Sequence, residues 1–347
     1  MDIHKTIFKK CLCFVFALTI LFLCACGANN TGPSGPLVDQ TFAVAPRDLE
    51  SRVSPPKDLP GYKEQQADFD RFVAYMNEKA SSLGMSQTVF NDAAGMHNLS
   101  TARDLLRLAV YAKQYPELDR IWSTPSHTIT VSGLRDFTKD VSWGTHKDLD
   151  PYYTVLGQKG GSLSYYFSRT NHLFVSNLVS ILEIPDSEDL LFVVVMYAKE
   201  GTEDPLNSRH ATRQVADIAM ALYNDPKADV SNMSICCENA IAAVLPAGKT
   251  HYEDLQILYA LNADMQGRPM SVSKIMTAVC ILDHVQDLSQ TITYHNWDTN
   301  IGLFYTEDYL PGDQMTYADA MYALMISSSN ITAQALARET GAIMAAE

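Results

Sequence analysis

The sequence predicts an α/β fold of the α+β type, helices and strands interspersed along the chain behind an export signal. Three observations carry this. Apolar residues make up 47% of the chain and charged residues 19%. Segments of helical period are interleaved with short alternating or wholly apolar runs, and an uncharged apolar stretch comes after basic residues at the start. The 347 residues allow one large domain or two modest ones, each able to bury a core.

Fold reasoning begins after residue 25. Lys5, Lys9 and Lys10 precede the apolar run CLCFVFALTILFLCA (11–25), which has the length of a signal core and is short for a membrane span. It ends in Leu23, Cys24, Ala25, Cys26, Gly27, which resembles the bacterial lipoprotein box. The expectation is a signal peptide over 1–25, a lipid on Cys26 and a protein on the extracytoplasmic face of the bacterial cell membrane. Plain cleavage or a retained signal anchor are the alternatives. Residues 26–60 are rich in Gly, Pro, Ser and Asn and read as a flexible tether.

The elements fall in two blocks. In block 61–225, Phe69, Phe72, Val73, Met76 and Ala80 recur at helical spacing, and Ser100 is expected to cap a helix through ARDLLRLAVYAKQ. HTITVS (127–132) alternates as a strand, and LLFVVVMYA (190–198) reads as a strand buried on both faces. ATRQVADIAMALYN (211–224) closes the block as an amphipathic helix, and 226–237 forms a junction. In block 238–347, ENAIAAVLPA (238–247) and LQILYALNAD (255–264) form a strand pair, and SVSKIMTAVCILDHV (271–285) is a helix opened by a serine. MTYADAMYALMIS and ITAQALARETGAIMAA are further helices, and neither block repeats the other.

Charge and cysteine content narrow the chemistry. Forty acidic against 26 basic residues give a net charge of −14, and no basic stripe lies outside the N-terminus, which argues against a nucleic-acid partner. Four of the seven cysteines fall in the signal, leaving Cys236, Cys237 and Cys280 without the spacing of a disulfide framework or a zinc site. Cys280, in MTAVCIL, is expected in the core. The nine histidines show no HExxH, so no metal or other cofactor is expected.

Ser271 and Lys274 form SxxK, a spacing that puts both side chains on one helix face about a turn apart. A hydroxyl is a weak nucleophile at its own pKa, and a neighbouring amine can take its proton once burial or another cation lowers the amine's affinity for it. Taken alone, SxxK is also what a helix cap and a surface lysine look like.

The surrounding residues decide between these. RPMSVSKIMTA (268–278) resembles the active-site serine segment of the D-alanyl-D-alanine carboxypeptidases, low-molecular-weight penicillin-binding proteins that trim peptidoglycan stems. LMISSSNITAQALA resembles the family's serine-x-asparagine segment, placing that pair at Ser328 and Asn330, with Gly312 and Asp313 matching the Gly-Asp before the preceding helix. The stretch from Phe72 to Ala109 is similar to the family's segment on the C-terminal side of that motif. VLGQKGGSL (155–163) resembles the lysine-threonine-glycine strand, with Lys159 and Gly161 in place and Gly160 where the family has threonine.

The resemblance implies an antiparallel sheet with helices on both faces and a small helical subdomain holding the second motif. It also implies a serine hydrolase. Ser271 attacks the bond between two D-alanines, Lys274 accepts the proton, Ser328 relays it and Asn330 positions the substrate. Lys159, Gly160, Gly161 and Ser162 bind the substrate, with the N–H groups of Ser162 and Ser271 as oxyanion donors. Peptidoglycan stem peptides are the implied substrate, β-lactams the implied inhibitors.

Two features depart from the family. Its segments run SxxK, SxN, STARDL and then lysine-threonine-glycine, so this chain reads as a circular permutation, or as two truncated copies or a rearranged frame. Gly160 removes a hydroxyl that helps hold the substrate's terminal carboxylate. Three other readings remain open: a catalytically impaired penicillin-binding-like lipoprotein that binds peptidoglycan, a β-lactamase-like hydrolase and a solute-binding lipoprotein.

Overall fold

The computed structural model describes residues 55, 57–142, 152–166, 172–198, 208–299 and 309–347. The signal segment, Cys26 and nearly all of the tether lie outside these residues. In the first block, α1 (Tyr62–Ser82) is succeeded by α2 (Ala102–Ala112), α3 (Pro116–Trp122), β1 (Ser126–Gly133) and β2 (Phe137–Ser142). Then come β3 (Val155–Tyr166), β4 (His172–Glu183), β5 (Leu190–Ala198) and α4 (Ser208–Asn224). The second block contains β6 (Cys237–Leu245), β7 (Gln256–Leu261), α5 (Lys274–His284), β8 (Thr291–Thr293) and α6 (Asn296–Thr299). It ends with β9 (Asp313–Thr316), α7 (Tyr317–Met325) and α8 (Asn330–Met344).

A five-stranded antiparallel sheet in the order β3-β4-β5-β6-β7 joins the blocks. The seam is the pairing of β5 with β6, from Leu190 opposite Leu245 to Ala198 opposite Cys237. Alternation along β5 explains its wholly apolar sequence. Leu191, Val193 and Val195 pack with Val215, Ala216 and Ala219 of α4 on one face. Phe192, Val194 and Met196 join a larger core on the other face with Leu105 and Leu108 of α2 and Ile275 and Val279 of α5. A strand covered on both sides has no face to leave polar. Cys280 is buried in that second core, and none of Cys236, Cys237 and Cys280 is in a disulfide.

The part that carries the second motif is not purely helical, as the resemblance implied. It holds a four-stranded sheet in the order β2-β1-β9-β8. Strands β8 and β9 have three and four residues, too short to show an alternation in sequence. Met315 and Thr316, read as helical, therefore belong to a strand, and Thr316 caps α7 by accepting from the Asp319 N–H.

Two further caps move. Thr101, not Ser100, caps α2, its hydroxyl accepting from the Asp104 N–H at 3.0 Å. Ser100 instead pairs its backbone with Gly267 at 2.7 and 2.8 Å, tying the first block to the segment entering Ser271. Ser271 caps no helix either, since it lies in a 3-10 turn (Met270–Ser273) that leads into α5. Among the described residues, no helix is long and apolar enough to cross a membrane.

Candidate active site

Elements of both blocks converge on one cleft of about 310 Å3. The 3-10 turn supplies Ser271 and α5 begins at Lys274. A 3-10 turn has three residues per turn, so side chains three apart eclipse one another. Lys274 Nζ accordingly lies 2.9 Å from Ser271 Oγ. Lys274 is fully buried, and its amine also donates to the Ala94 carbonyl at 2.9 Å and to Asn330 Oδ1 at 2.7 Å.

Those partners set what the amine can do. A neutral lysine amine has two N–H donors and one lone pair, and a carbonyl or amide oxygen can only accept. Once it has lost a proton, the amine keeps its two hydrogens on Ala94 and Asn330 and leaves its lone pair for the Ser271 O–H, the arrangement a base needs to receive a proton. Asn330 opens α8, whose first turn is capped by the Ser329 hydroxyl accepting from the Thr332 N–H at 2.9 Å.

Ser328 connects the two lysines. Its hydroxyl lies 2.9 Å from Lys159 Nζ and 3.5 Å from Lys274 Nζ. Ser328 has φ 61°, a left-handed conformation that costs a non-glycine residue about 1–2 kcal/mol. Its place ahead of the Ser329 cap holds it there. Lys159 is 2% exposed and also donates to the Gly160 carbonyl at 2.8 Å. Burial, and then the neighbouring Lys274 cation, push its amine well below the ordinary lysine range.

Strand β3 is the edge of the sheet and borders the cleft with Lys159, Gly160, Gly161 and the exposed Ser162. Gly161 is required sterically. A Cβ there would stand 2.6 Å from the Pro269 carbonyl oxygen and 2.8 Å from the Ser271 nitrogen, so only glycine lets β3 press against the turn that holds Ser271. Gly160 is under no such demand. A Cβ at that position meets the Asn177 carbonyl oxygen at 3.8 Å and Leu178 at 3.9 Å, ordinary contact distances.

The structure thus brings Ser271, Lys274, Ser328, Asn330 and Lys159 into one hydrogen-bonded cluster, with Gly160, Gly161 and Ser162 along its edge. Asp313, matched by sequence, stands outside the cleft lining, its fully buried carboxylate accepting from the Leu310 N–H at 2.8 Å and from Arg135. Sequence reasoning missed Ala94, which contributes only a backbone carbonyl and so has no side-chain signature. It also missed Arg209, 8% exposed in the first turn of α4 and lining the cleft. A cation in a helix's first turn opposes the helix dipole, the one hint the sequence held. No group of His, Cys, Asp and Glu able to hold a metal occurs among the described residues.

Comparison with known proteins gives a family. A family model described as D-alanyl-D-alanine carboxypeptidase matches residues 66–163 and 239–342, more than half of the chain. A D-alanyl-D-alanine endopeptidase of Pseudomonas aeruginosa is 48% identical over 60 residues, 17% of this chain and 19% of that protein. One of Escherichia coli is 42% identical over 66 residues, 18% of this chain and 21% of that protein. The chain thus spans about a fifth of the length of the curated relatives it matches. No solved structure matches it.

Proposed function

The chain belongs to the D-alanyl-D-alanine carboxypeptidase family, and on that premise we propose that it is a serine peptidase acting on peptidoglycan stem peptides through an acyl-enzyme at Ser271. The observation that carries the reading is the contact of Ser271 Oγ with a fully buried lysine amine at 2.9 Å. Ser271 Oγ attacks the carbonyl of a stem D-alanine, at its peptide bond to the next residue, while its proton passes to Lys274. As the peptide bond breaks, Ser328 relays a proton to the leaving amine, and the acyl group stays on Ser271 as an ester. Water then cleaves the ester and the serine recovers its proton. The N–H groups of Ser271 and Ser162 flank the carbonyl oxygen, Asn330 positions the substrate amide, and Lys159 with Arg209 attracts the terminal carboxylate.

Carboxypeptidase action is the first reading. Cleavage within cross-linked stems is the second, supported by the names of the two relatives and by Gly160, which gives up a hydroxyl for the terminal carboxylate. β-Lactams acylate the same serine. The protein is exported, and a lipid on Cys26 or a retained signal anchor holds it to the extracytoplasmic face of the membrane. The chain is a circular permutation of the family's domain: β5 of the first block pairs with β6 of the second, and α8 ends beside α1, where Arg71 donates to the Gly341 carbonyl at 2.7 Å.

A fluorescent penicillin on the full chain, beside Ser271→Ala, tests the reading on a denaturing gel. Label on the wild type alone is expected. An unlabelled but folded wild type would sink the enzyme reading and leave a peptidoglycan-binding lipoprotein. D-Alanine release from a stem peptide should then rise in Gly160→Thr relative to cleavage of a cross-linked dimer, since a Cβ at that position meets only ordinary contacts.

A further inference from the structure

We infer that Asp92 is a positioning residue for the reaction, folding residues 91–98 so that the Ala94 carbonyl is aimed at the amine of Lys274. The inference rests on the acyl-enzyme reading and adds to it a residue outside the cleft lining. Asp92 is 7% exposed and spends its carboxylate on the loop's own backbone. Oδ1 accepts from the N–H groups of Gly95 at 2.5 Å and Met96 at 3.0 Å, and Oδ2 from that of His97 at 2.8 Å. Asn98 closes the loop from its other end, its Oδ1 accepting from the N–H groups of Asn91 and Asp92 at 2.7 and 3.1 Å while its amide nitrogen donates to the Asp92 carbonyl at 3.0 Å.

With these N–H groups gathered around two side chains, two successive carbonyls face α5. Ala93 O accepts from the Thr277 hydroxyl at 2.7 Å and Ala94 O from Lys274 Nζ at 2.9 Å. Lys274 and Thr277 are three apart on α5 and share a face, so the loop is gripped at two points one turn apart. It touches the nucleophile's turn as well. Gly95 has φ +98°, and a Cβ there would fall 2.0 Å from the Met270 carbonyl oxygen, while Arg268 Nη1 donates to the Met96 carbonyl at 3.1 Å.

A buried carboxylate is costly to desolvate, and an apolar loop anchor would avoid the cost. Burial pushes the Asp92 carboxyl up, but the His97 ring and the N–H groups of Met96 and His97 outweigh it and hold the group below the ordinary carboxylate range. Asp92 is therefore an anion at neutral pH, able to bind three N–H donors at once. An asparagine there has one acceptor oxygen with two lone pairs and would leave one of the three donors unmet. The base needs both of its hydrogens occupied by acceptors if its lone pair is to meet Ser271, and the Ala94 carbonyl is one of the two.

The test is the rate constant of penicillin acylation of the full chain, separated from pre-acylation binding, in Asp92→Asn, Thr277→Val and the double variant. Asp283→Asn is the structural control. Asp283 sits at the other end of α5, where its carboxylate accepts from Tyr75, Tyr115 and Lys79 at 2.7 to 2.9 Å, away from Ser271. Asp92→Asn and Thr277→Val should each slow acylation by about 10- to 100-fold with binding unchanged, the cost of a base misplaced by a fraction of an ångström. The double variant should lose less than the product of the two, because both act through one loop. Asp283→Asn should lower the unfolding temperature and leave the acylation rate alone. Wild-type acylation in Asp92→Asn, a deficit that vanishes when rates are scaled to the folded fraction, or effects that multiply would each overturn the inference. Failure of the parent reading looks different, as the wild type itself would then take no label.

Discussion

Lys159 shows at the scale of one residue how a functional group acts against stability. Burial and the Lys274 cation push its amine well below the ordinary lysine range. The unfolded chain holds a proton on that amine up to a pH of about 10.4, whereas the native state gives it up earlier. Between the two, the unfolded state binds more protons, so native stability rises with pH across that window and levels off above it. Lys159→Met should therefore raise the melting temperature at neutral pH and raise it less as the pH approaches the ordinary lysine range, while acylation of Ser271 is lost. Thermal melts at several pH values check this. The sequence showed Lys159 as a motif letter; its full burial beside a second lysine comes from packing two blocks distant in sequence.

At the scale of one element, α8 carries Asn330 at its first residue and is latched in its middle. Arg338 donates to both Asp298 oxygens at 2.8 and 2.9 Å and to the Thr293 carbonyl at 2.8 Å, with Asp298 fully buried and Arg338 4% exposed. Removing one partner of a buried pair strands the other charge, at a cost of about 3–5 kcal/mol. Arg338→Met should lower the unfolding free energy by that amount in denaturant titration. The long periodic elements α1, α5, α8 and β5 were readable from sequence. The short strands β8 and β9 were not, because three or four residues show no period. The caps differ because Ser100 pairs its backbone with Gly267 and its hydroxyl with Thr88, while Ser271 lies in a 3-10 turn with its hydroxyl beside Lys274.

At the scale of the molecule, the two blocks share one sheet through β5 and β6 and one cleft through Lys159 and Ser271. If the chain is a permutation, its order carries no catalytic information. A rebuilt chain running 238–347, a short linker and then 61–225 should label with penicillin at the wild-type rate, and loss of label in a folded product would show that the present order is needed. What the sequence determined by itself was local: the apolar periods, the helix spacing that pairs Ser271 with Lys274, and the motif letters that resemble one family. What only the tertiary structure decided was which backbone groups and which lysine reach that pair. Ala94 contributes only a backbone carbonyl, which side-chain letters do not encode, and Lys159 loses its ordinary proton affinity only when β3 closes over it and Lys274 lies beside it.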